Sequence, residues 1–422
     1  MRKRTAALIA CAAIATSLLA GCSQSSGDTK TKPTITVWFR PSSLGSQALA
    51  GVQKAFPDAT LKLVSVPDID PKLQAALRAK SGIPDLVVLG GNVADYFSVE
   101  NQFVDLRKYG LTSAVKSEYV GWKWSRTTAP DGRVIGVPID TGPFGFYYRA
   151  DAFAAAGLPT DPTAVSKIVS TWAEYESVAK KIEATTGSPK ICDAATSTYE
   201  LSLWQSGWYY YSVKNGKDVF NAYDPRGKKA FERAAEQGTS GICANTSPYT
   251  PDWNAAIAQN KLVGFVGPAY ETQLLTAAAT GSVGKWRVAS PPGGAASAAG
   301  GELAVTSASK DPALAAKIAF WLNNPANQTN AFVKGELFPS TIASYTDAKS
   351  LKPQALFGGQ ATMSVFGEVA KKAVPFVGGP NADTYNSTFE NELKTNVIQQ
   401  GSDVESSFQA AAKAVTAQAN AK

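Results

Sequence analysis

Residues 34–89 read TITVWFRPSSLGSQALAGVQKAFPDATLKLVSVPDIDPKLQAALRAKSGIPDLVVL, and the order of their apolar patterns predicts the fold class. Three runs rich in β-branched and apolar residues are typical of strands, and two stretches between them have the apolar spacing of helices. The predicted strands are 34–40, 60–66 and 84–89, and the predicted helices are 47–56 and 72–80. Because strands and helices alternate, we predict an α/β fold with a parallel sheet covered by helices.

A similar mixture of strands and helices continues to the C-terminus. Further strands are predicted at 133–140, 144–149, 262–266, 286–289 and 302–306. Further helices are predicted at 151–156, 171–184, 201–211, 225–237, 312–322, 327–333, 383–399 and 403–418. A stretch rich in Gly, Ala and Ser at 291–301 fits either a linker or an ordinary surface loop. A chain of this length suggests two domains of about 150–200 residues each.

The N-terminus predicts export. Three positive charges, on Arg2, Lys3 and Arg4, precede an apolar run at 6–20 that is too short for a stable membrane span, as in a secretory signal. The run ends in the sequence LAGC, which resembles the bacterial lipoprotein lipobox, so residues 1–21 are predicted to be removed and Cys22 to be lipidated. Acyl chains on Cys22 would anchor the protein to the cell membrane, and the polar stretch 22–33 would be a flexible tether.

The charge and composition exclude several classes of function. The net charge of +7 falls to +4 without the three charges of the signal, and no basic cluster indicates nucleic-acid binding. The sequence contains no His, which excludes Ser-His-Asp triads, HExxH zinc sites and His-based proton shuttles. No Walker A motif is present and no GxGxxG motif follows a strand, so we predict neither a cofactor nor a metal.

Cysteine usage agrees with export. Cys11 would leave with the signal and Cys22 would be lipidated, which leaves Cys192 and Cys243. An even pair in an oxidising compartment predicts a disulfide, and two buried free thiols are the alternative.

Several segments, in this order, together resemble the extracellular carbohydrate-binding proteins of ABC importers, the class that includes maltose-binding protein. The segments are PDLVV at 84–88, GVP at 136–138, YYRADAF at 147–153, AGLP at 156–159, TWAEY at 171–175, AQNKLVGFVG at 258–267 and GGELAV at 300–305. The resemblance covers nearly the whole mature chain. Each motif alone has low specificity, and the ordered set carries the resemblance.

This resemblance implies a type II periplasmic-binding-protein-like fold. Two α/β lobes, each a mainly parallel sheet flanked by helices, would close around a ligand in the cleft between them by a hinge motion. Lobe one is expected at 34–140 plus 302–342, and lobe two at 141–301 plus 343–422. The implied partners are a carbohydrate ligand and the permease subunits of an importer, and the implied state is a monomer.

Sugars present apolar C–H faces and a rim of hydroxyl groups, so a sugar site needs aromatic platforms and polar side chains. Ligands of parallel α/β sheets bind beyond the carboxyl ends of the strands. By these rules and the resemblance, the predicted ligand-binding residues are Arg40, Ser42, Ser43, Asn92, Asp95, Asp140, Trp204, Trp208, Tyr209, Tyr270, Glu302 and Phe338. Trp204 and Trp208 are four residues apart and would share one face of a helix.

Two other classes of function stay open at this stage. The first is a binding protein for another solute, such as a polyamine or a ferric complex. The consecutive tyrosines 209–211 resemble those of ferric-binding proteins, since phenolate is a hard oxygen ligand. The second is a surface hydrolase that uses two carboxylates, although no pattern in the sequence pairs two acids in this way. The identity, length and linkage of the sugar do not follow from the sequence.

Overall fold

The computed structural model describes residues 32–90, 92–214, 217–298 and 300–421. The predicted signal peptide, the lipidation site at Cys22 and all but the last two residues of the predicted tether lie outside the described residues. Residues from Pro33 onward form one compact unit. Within the described part of the chain, no helix is both long enough and apolar enough to cross a bilayer.

The strands and helices of the structure are numbered separately in chain order. The strands are β1 Thr34–Phe39, β2 Thr60–Ser65, β3 Leu86–Leu89, β4 Gly136–Pro138, β5 Gly142–Arg149, β6 Trp208–Tyr209, β7 Tyr211–Lys214, β8 Lys217–Phe220, β9 Gly264–Pro268, β10 Trp286–Ala289, β11 Ser297–Ala298, β12 Glu302–Val305 and β13 Val377–Gly378. The α-helices are α1 Ser46–Ala55, α2 Ile69–Ala79, α3 Ser113–Ser117, α4 Gly121–Arg126, α5 Ala150–Ala155, α6 Pro162–Ile168, α7 Trp172–Glu183, α8 Ala195–Ser206, α9 Pro225–Thr239, α10 Pro251–Ala258, α11 Glu271–Ala278, α12 Pro312–Leu322, α13 Pro325–Val333, α14 Met363–Lys372, α15 Ala382–Asn391 and α16 Val404–Asn420. Segments of 3-10 helix lie at Val93–Gln102, Leu106–Lys108, Thr280–Ser282 and Ile342–Tyr345, and the π-helix Glu392–Gln399 continues α15.

A five-stranded sheet in the order β2-β1-β3-β12-β4 forms the centre of what we call the first lobe. β1 pairs in parallel with β2 and β3, as the pattern of residues 34–89 predicts. All four residues of β3 are buried, because the strand lies in the middle of the sheet. Only β12 runs against its neighbours β3 and β4.

The second lobe surrounds β5, whose eight residues are all buried. β5 pairs with β9, β10 and β11, and every one of these pairings is antiparallel. The prediction of a mainly parallel sheet in each lobe is therefore wrong for this lobe. The reason is that β5 carries the chain out of the first lobe and thus runs opposite to the strands that follow it.

Three segments of the described chain connect the two lobes, and we call these segments together the hinge. The chain leaves the first lobe through the link from β4 to β5 and returns through the link from β11 to β12. These links lie side by side, because Pro143 pairs with Ser297 and Pro138 pairs with Glu302. A third crossing passes Pro339, which bridges to Asp140. The lobe boundaries at residues 140, 301 and 342 stay a prediction, although these crossings lie close to them.

Within the part of the chain that the structure describes, the buried side chains form three hydrophobic clusters. One fills the first lobe and includes β1, β3 and α12. A second fills the part of the second lobe that contains α8, α9 and α16. The third surrounds Tyr147, Phe265 and Phe366 on the other face of β5. β5 thus separates two cores, which explains why none of its residues is exposed.

The region around Trp204 differs from the helix predicted at 201–211. Helix α8 ends at Ser206, since Gly207 adopts the left-handed conformation with φ of 68° that commonly terminates helices. Trp208 and Tyr209 then form β6, which pairs with β13. Trp204 and Trp208 therefore do not share a helix face, and the helical periodicity predicted for Trp208 is wrong.

The predicted disulfide is confirmed. Cys192 and Cys243 are bonded and their Cα atoms lie 4.3 Å apart. The bond connects the chain just before α8 to the segment after α9 and closes a loop across 51 positions of sequence.

Candidate functional site

A cavity of about 470 Å³ opens in the second lobe beside the hinge. Its walls come from α8, the junction of β9 and α11, the hinge residue Gly300 and α15. A volume of several hundred cubic ångströms is typical of small-molecule sites. Three of the ligand-binding residues predicted from the sequence line this cavity, namely Trp204, Tyr209 and Tyr270.

Aromatic rings form much of the cavity wall. Trp204 and Tyr209 stack with ring centroids 4.8 Å apart and an angle of 17° between the rings. Tyr270 is 39% exposed and Tyr249 is 64% exposed, and both line the cavity. Exposed rings beside a cavity provide flat apolar surfaces that suit the C–H faces of a sugar.

Tyr249 also has an unusual backbone. Its φ is 67°, in the left-handed region that a bulky residue enters only at an energetic cost. Such strained residues concentrate at functional sites, where the surrounding structure holds them in place. The strained backbone of Tyr249 thus places an exposed ring at the cavity.

Four carboxylic acids line the same cavity: Glu200, Glu271, Asp383 and Glu390. Asp383 accepts a hydrogen bond of 2.9 Å from the hydroxyl of Tyr209. Glu390 accepts one of 2.7 Å from the Asn386 amide, and Glu200 accepts a longer one of 3.4 Å from the indole of Trp204. Three of the four carboxylates are thus held in place by neighbouring uncharged groups.

Burial and mutual repulsion raise the pKa values of three of these acids. Burial is the main cause in each case. For Glu390 burial and the nearby charge of Glu200 raise the pKa to about 8. Burial and the charge of Asp383 raise the pKa of Glu200, and burial with the charges of Asp193 and Glu200 holds the pKa of Glu271 well above its usual value. The cavity therefore resists a full set of negative charges when nothing neutralises them.

Glu271 is the most deeply buried of the four. Its side chain is 5% exposed, and among the described residues its Oε2 atom has no hydrogen-bond partner. The carboxylate lies against the backbone of Gly267, where any Cβ would be only 1.8 Å from Oε2. The missing side chain at position 267 provides the space for this carboxylate. Leaving a buried acceptor unpaired costs about 1–3 kcal/mol, so this oxygen destabilises the folded protein.

The hinge adds a second group of charges near the cavity. Lys123 and Glu302 form a fully buried ion pair of 2.6 Å. Asp140 accepts a hydrogen bond of 2.7 Å from the backbone amide of Gly301, and burial raises the pKa of Asp140. Neither Asp140 nor Glu302 lines the 470 Å³ cavity, although the charge of Asp140 reaches Tyr270. Glu302 lies in β12 of the first-lobe sheet and forms its ion pair with Lys123.

Other predicted residues lie at the carboxyl ends of first-lobe strands but away from this cavity. Arg40 forms an ion pair with Asp70, and the hydroxyl of Ser43 donates to the carbonyl oxygen of Arg40 at 2.9 Å. Ser42 adopts a left-handed backbone with φ of 62° in the same turn. These three residues form a local turn after β1 and do not line the cavity.

Asn92 and Asp95, after β3, contact the second lobe instead. Asn92 donates a 3.0 Å hydrogen bond to the carbonyl oxygen of Gly379. Asn92 also lines a separate cavity of about 300 Å³ between first-lobe residues and residues near β13. Phe338 lines a third cavity, of about 360 Å³, which shares Tyr270 with the first.

The aromatic run after α8 does not converge on one point. Trp208 is fully buried in the second-lobe core and lines none of the three cavities. The hydroxyl of Tyr210 lies 3.1 Å from the Asn386 side-chain oxygen, and that of Tyr211 donates to the carbonyl oxygen of Pro380. The three tyrosine hydroxyls therefore have different partners, and this arrangement does not favour an iron site. Among the described residues no group of three His, Cys, Asp or Glu side chains could hold a metal ion.

Sequence reasoning missed all four acids of the cavity wall and the exposed ring of Tyr249; the acids are Glu200, Glu271, Asp383 and Glu390. Glu271 follows Tyr270 directly and could have been found as its neighbour. Asp383 and Glu390 lie about two helical turns apart on α15, and the sequence of this helix shows only an ordinary amphipathic pattern. No signal in the sequence brings α15 to the same place as α8.

Comparisons with known proteins agree with this geometry. Residues 47–357 match the family model described as bacterial extracellular solute-binding protein. The arabinooligosaccharide-binding protein of Bacillus subtilis is 25% identical over 239 residues, and the match spans 52% of each chain, about half the length of that relative. A crystal structure described as extracellular solute-binding protein family 1 superposes with a TM-score of 0.83 at 26% identity and covers 90% of this chain and 98% of that one.

A further solved structure shares the fold. The galacto-N-biose-/lacto-N-biose I-binding protein of Bifidobacterium longum, in complex with lacto-N-biose, superposes with a TM-score of 0.75 at 22% identity and covers 91% of this chain and 96% of that one. These similarities confirm the predicted α/β fold of two lobes.

Proposed function

The chain belongs to the bacterial extracellular solute-binding proteins, and from that membership we propose that it captures a sugar and delivers it to the membrane subunits of an ABC importer. The ligand we propose is a disaccharide or short oligosaccharide. The saccharide ligands named for its relatives support this choice.

The observation that carries the proposal is the wall of the 470 Å³ cavity. Ring faces of Tyr249 and Tyr270 stand beside carboxylates and the hydroxyl groups of Thr196 and Ser387. Rings bind the apolar face of a sugar, and polar groups bind its hydroxyls. A cavity with only one of these two features would not support a sugar.

The binding step we propose is closure of the lobes about the three-stranded hinge. Asn92 and Asp95 of the first lobe already contact residues 379–381 of the second. We propose lobes at 34–140 plus 302–342 and at 141–301 plus 343–422, with the cavity at their junction. The closed form would be the one that the importer recognises.

We also propose that the protein works as a monomer outside the cytoplasm and is held to the membrane by lipid on Cys22. The lipobox sequence supports the anchor, and the family supports the compartment. Mass spectrometry of the membrane fraction tests the anchor, since a diacylated Cys22 peptide is expected and an unmodified one would contradict it.

A thermal-shift screen over a panel of saccharides tests the function. A ligand at 100 times its dissociation constant adds about 2.7 kcal/mol of stability, which gives a readable rise in Tm. Chromatography of the same mixtures tests for cleavage, and we expect intact saccharides. A panel in which no sugar raises the Tm while a polyamine or a ferric complex does would overturn the proposal.

A further inference from the structure

The wall of the cavity combines four acids with no basic residue among the described residues. None of the described residues that line the 470 Å³ cavity is Lys or Arg, although the chain contains 41 basic and 34 acidic residues. An ionised carboxylate accepts hydrogen bonds but cannot donate them. A sugar hydroxyl can do both, whereas an ammonium group offers three donors and no acceptor. The wall is therefore more complementary to a protonated amine than to a set of neutral hydroxyls.

We propose that the captured saccharide carries a protonated amino group, and that Glu271, with Glu200 and Glu390, binds this cation. This inference rests on the proposed function and specifies its substrate class. Glu271 is the anchor because it lines the cavity, is almost fully buried and accepts no hydrogen bond among the described residues, while Glu200 and Glu390 accept hydrogen bonds from Trp204 and Asn386.

The charges around the cavity support a cation. Besides one another, Glu271 faces the buried acid Asp193 and Glu200 faces the exposed acid Asp383, and Asp140 lies on the side of Tyr270. A positive charge, that of Arg126 in the first lobe, acts on the cavity residues Asp383 and Tyr209 and on Glu302. Burial together with this repulsion raises the pKa values of Glu200, Glu271 and Glu390. A bound cation would remove the repulsion, so the carboxyl groups would release protons as it binds.

The rest of the wall favours an amino sugar over a polyamine. A protonated polyamine has no hydrogen-bond acceptor, so the hydroxyls of Thr196 and Ser387 could accept hydrogen bonds from it but could not donate any, whereas sugar hydroxyls can use both functions. The exposed rings of Tyr249 and Tyr270 offer broad flat surfaces, which match a pyranose ring better than a flexible alkyl chain. Amino sugars and polyamines both carry an ammonium group, and the experiment compares binding of the two classes.

The test compares matched ligands by thermal shift and calorimetry at neutral pH. The probes are glucosamine, galactosamine and the β-1,4-linked glucosamine dimer, each with its N-acetyl and its hydroxyl counterpart, together with putrescine and spermidine. We expect at least one amino sugar to bind at least tenfold more tightly than both of its neutral counterparts. Calorimetry in buffers of different ionisation enthalpy should show proton release for the amine only.

Two variants assign the effect to the acids. Glu271→Gln and Glu390→Gln keep the size of the side chain and remove its charge, and each should reduce the preference for the amine at least fivefold. Glu118→Gln, at an exposed position outside the cavity, should leave it unchanged. Circular dichroism checks that each variant folds, and if Glu271→Gln fails to fold, Glu390→Gln alone decides.

The possible outcomes test the inference about the amine and the proposed function separately. If no amino sugar binds more tightly than its neutral counterparts, the inference is overturned, and binding of a neutral saccharide would leave the proposed function standing. Binding of putrescine or spermidine without any saccharide would overturn both. An amine preference that survives in both Gln variants would overturn the assignment to Glu271 and Glu390.

Discussion

The carboxylate of Asp95 accepts a hydrogen bond of 2.6 Å from the backbone amide of Asn381. Asp95 follows the central strand β3 of the first lobe, and Asn381 immediately precedes α15, which carries Asp383 and Glu390 into the cavity wall. The same carboxylate accepts a second hydrogen bond, of 3.0 Å, from the Asn92 side chain. One acid thus connects the first lobe to the start of the helix that carries two of the site acids.

We expect Asp95→Ala to weaken ligand binding about tenfold. Hydrogen bonds to charged groups contribute about 1.5–3 kcal/mol, and losing one such bond favours the open arrangement of the lobes. Calorimetry measures the affinity, and X-ray scattering of the liganded protein should show a larger radius of gyration. Asp58→Ala, at an exposed first-lobe position, is the control. Equal affinity in the two variants would show that Asp95 has no part in closure.

Tyr270 is the ring that two cavities share, so its removal should affect binding strongly. We expect Tyr270→Ala to lose about 1–2 kcal/mol of binding free energy, which is a factor of about 5–30. Tyr270→Phe keeps the ring face and should retain most of the affinity. Tyr223→Ala removes another exposed tyrosine, outside the cavity, and should have no effect. A Phe variant as weak as the Ala variant would assign the contribution to the hydroxyl instead of the ring.

The sequence predicts the first lobe well and the second lobe less well. In residues 34–89 β1 pairs in parallel with both β2 and β3, so the pattern of one short stretch gives these strands and their parallel order. β5 instead pairs with strands more than 100 positions later in the chain, and its antiparallel direction depends on where the chain crosses the hinge. Local patterns contain no information about that crossing.

The residues of the candidate site are likewise predicted only in part. Trp204, Tyr209 and Tyr270 follow from aromatic character and family resemblance. The acids of α15 do not, because the helix has an ordinary amphipathic pattern and reaches the cavity only through tertiary packing. Trp208 shows the opposite error, since one left-handed residue, Gly207, ends the helix and places the ring of Trp208 in the core.

The disulfide makes a separate contribution to stability. Closing a loop across 51 positions stabilises by about 4 kcal/mol on the chain-entropy model. We therefore expect the double variant Cys192→Ala/Cys243→Ala to lose about 4 kcal/mol in the free energy of unfolding, as measured by chemical denaturation. Neither Cys lines the cavity, so affinity measured well below the Tm should be retained. A reducing agent should destabilise the native protein similarly and leave the double variant unchanged.

The unliganded protein should lose stability as the pH rises from about 5 to 8. Burial and the charge of Glu200 raise the pKa of Glu390 to about 8, and burial raises the pKa of Asp193 to about 7. Both groups therefore keep their protons in the folded state at pH values where the unfolded chain, with ordinary carboxyl pKa values, has released them. Within that window the folded state binds more protons, so raising the pH favours unfolding. Below about pH 4.5 the sign reverses, because Asp105 and Asp224 have pKa values lowered by hydrogen bonds from Arg107 and Arg226. A maximum of stability near pH 5 follows.

Glu390→Gln isolates the contribution of the cavity to this pH dependence. Glu390 faces Glu200, Asp383 and the Asn386 amide. A Gln side chain is similar in size to protonated Glu but cannot ionise. A shift of one pKa unit corresponds to about 1.4 kcal/mol, and this contribution is reduced because the Glu390 side chain is partly exposed. We therefore expect the free energy of unfolding of the variant to exceed that of the native protein by about 1–2 kcal/mol at pH 8 and by almost nothing at pH 5. Chemical denaturation at a series of pH values measures this difference, and Glu118→Gln should follow the native curve. Parallel curves for Glu390→Gln and the native protein would mean that Glu390 is already ionised at pH 5, and that the cavity tolerates its charge without a ligand.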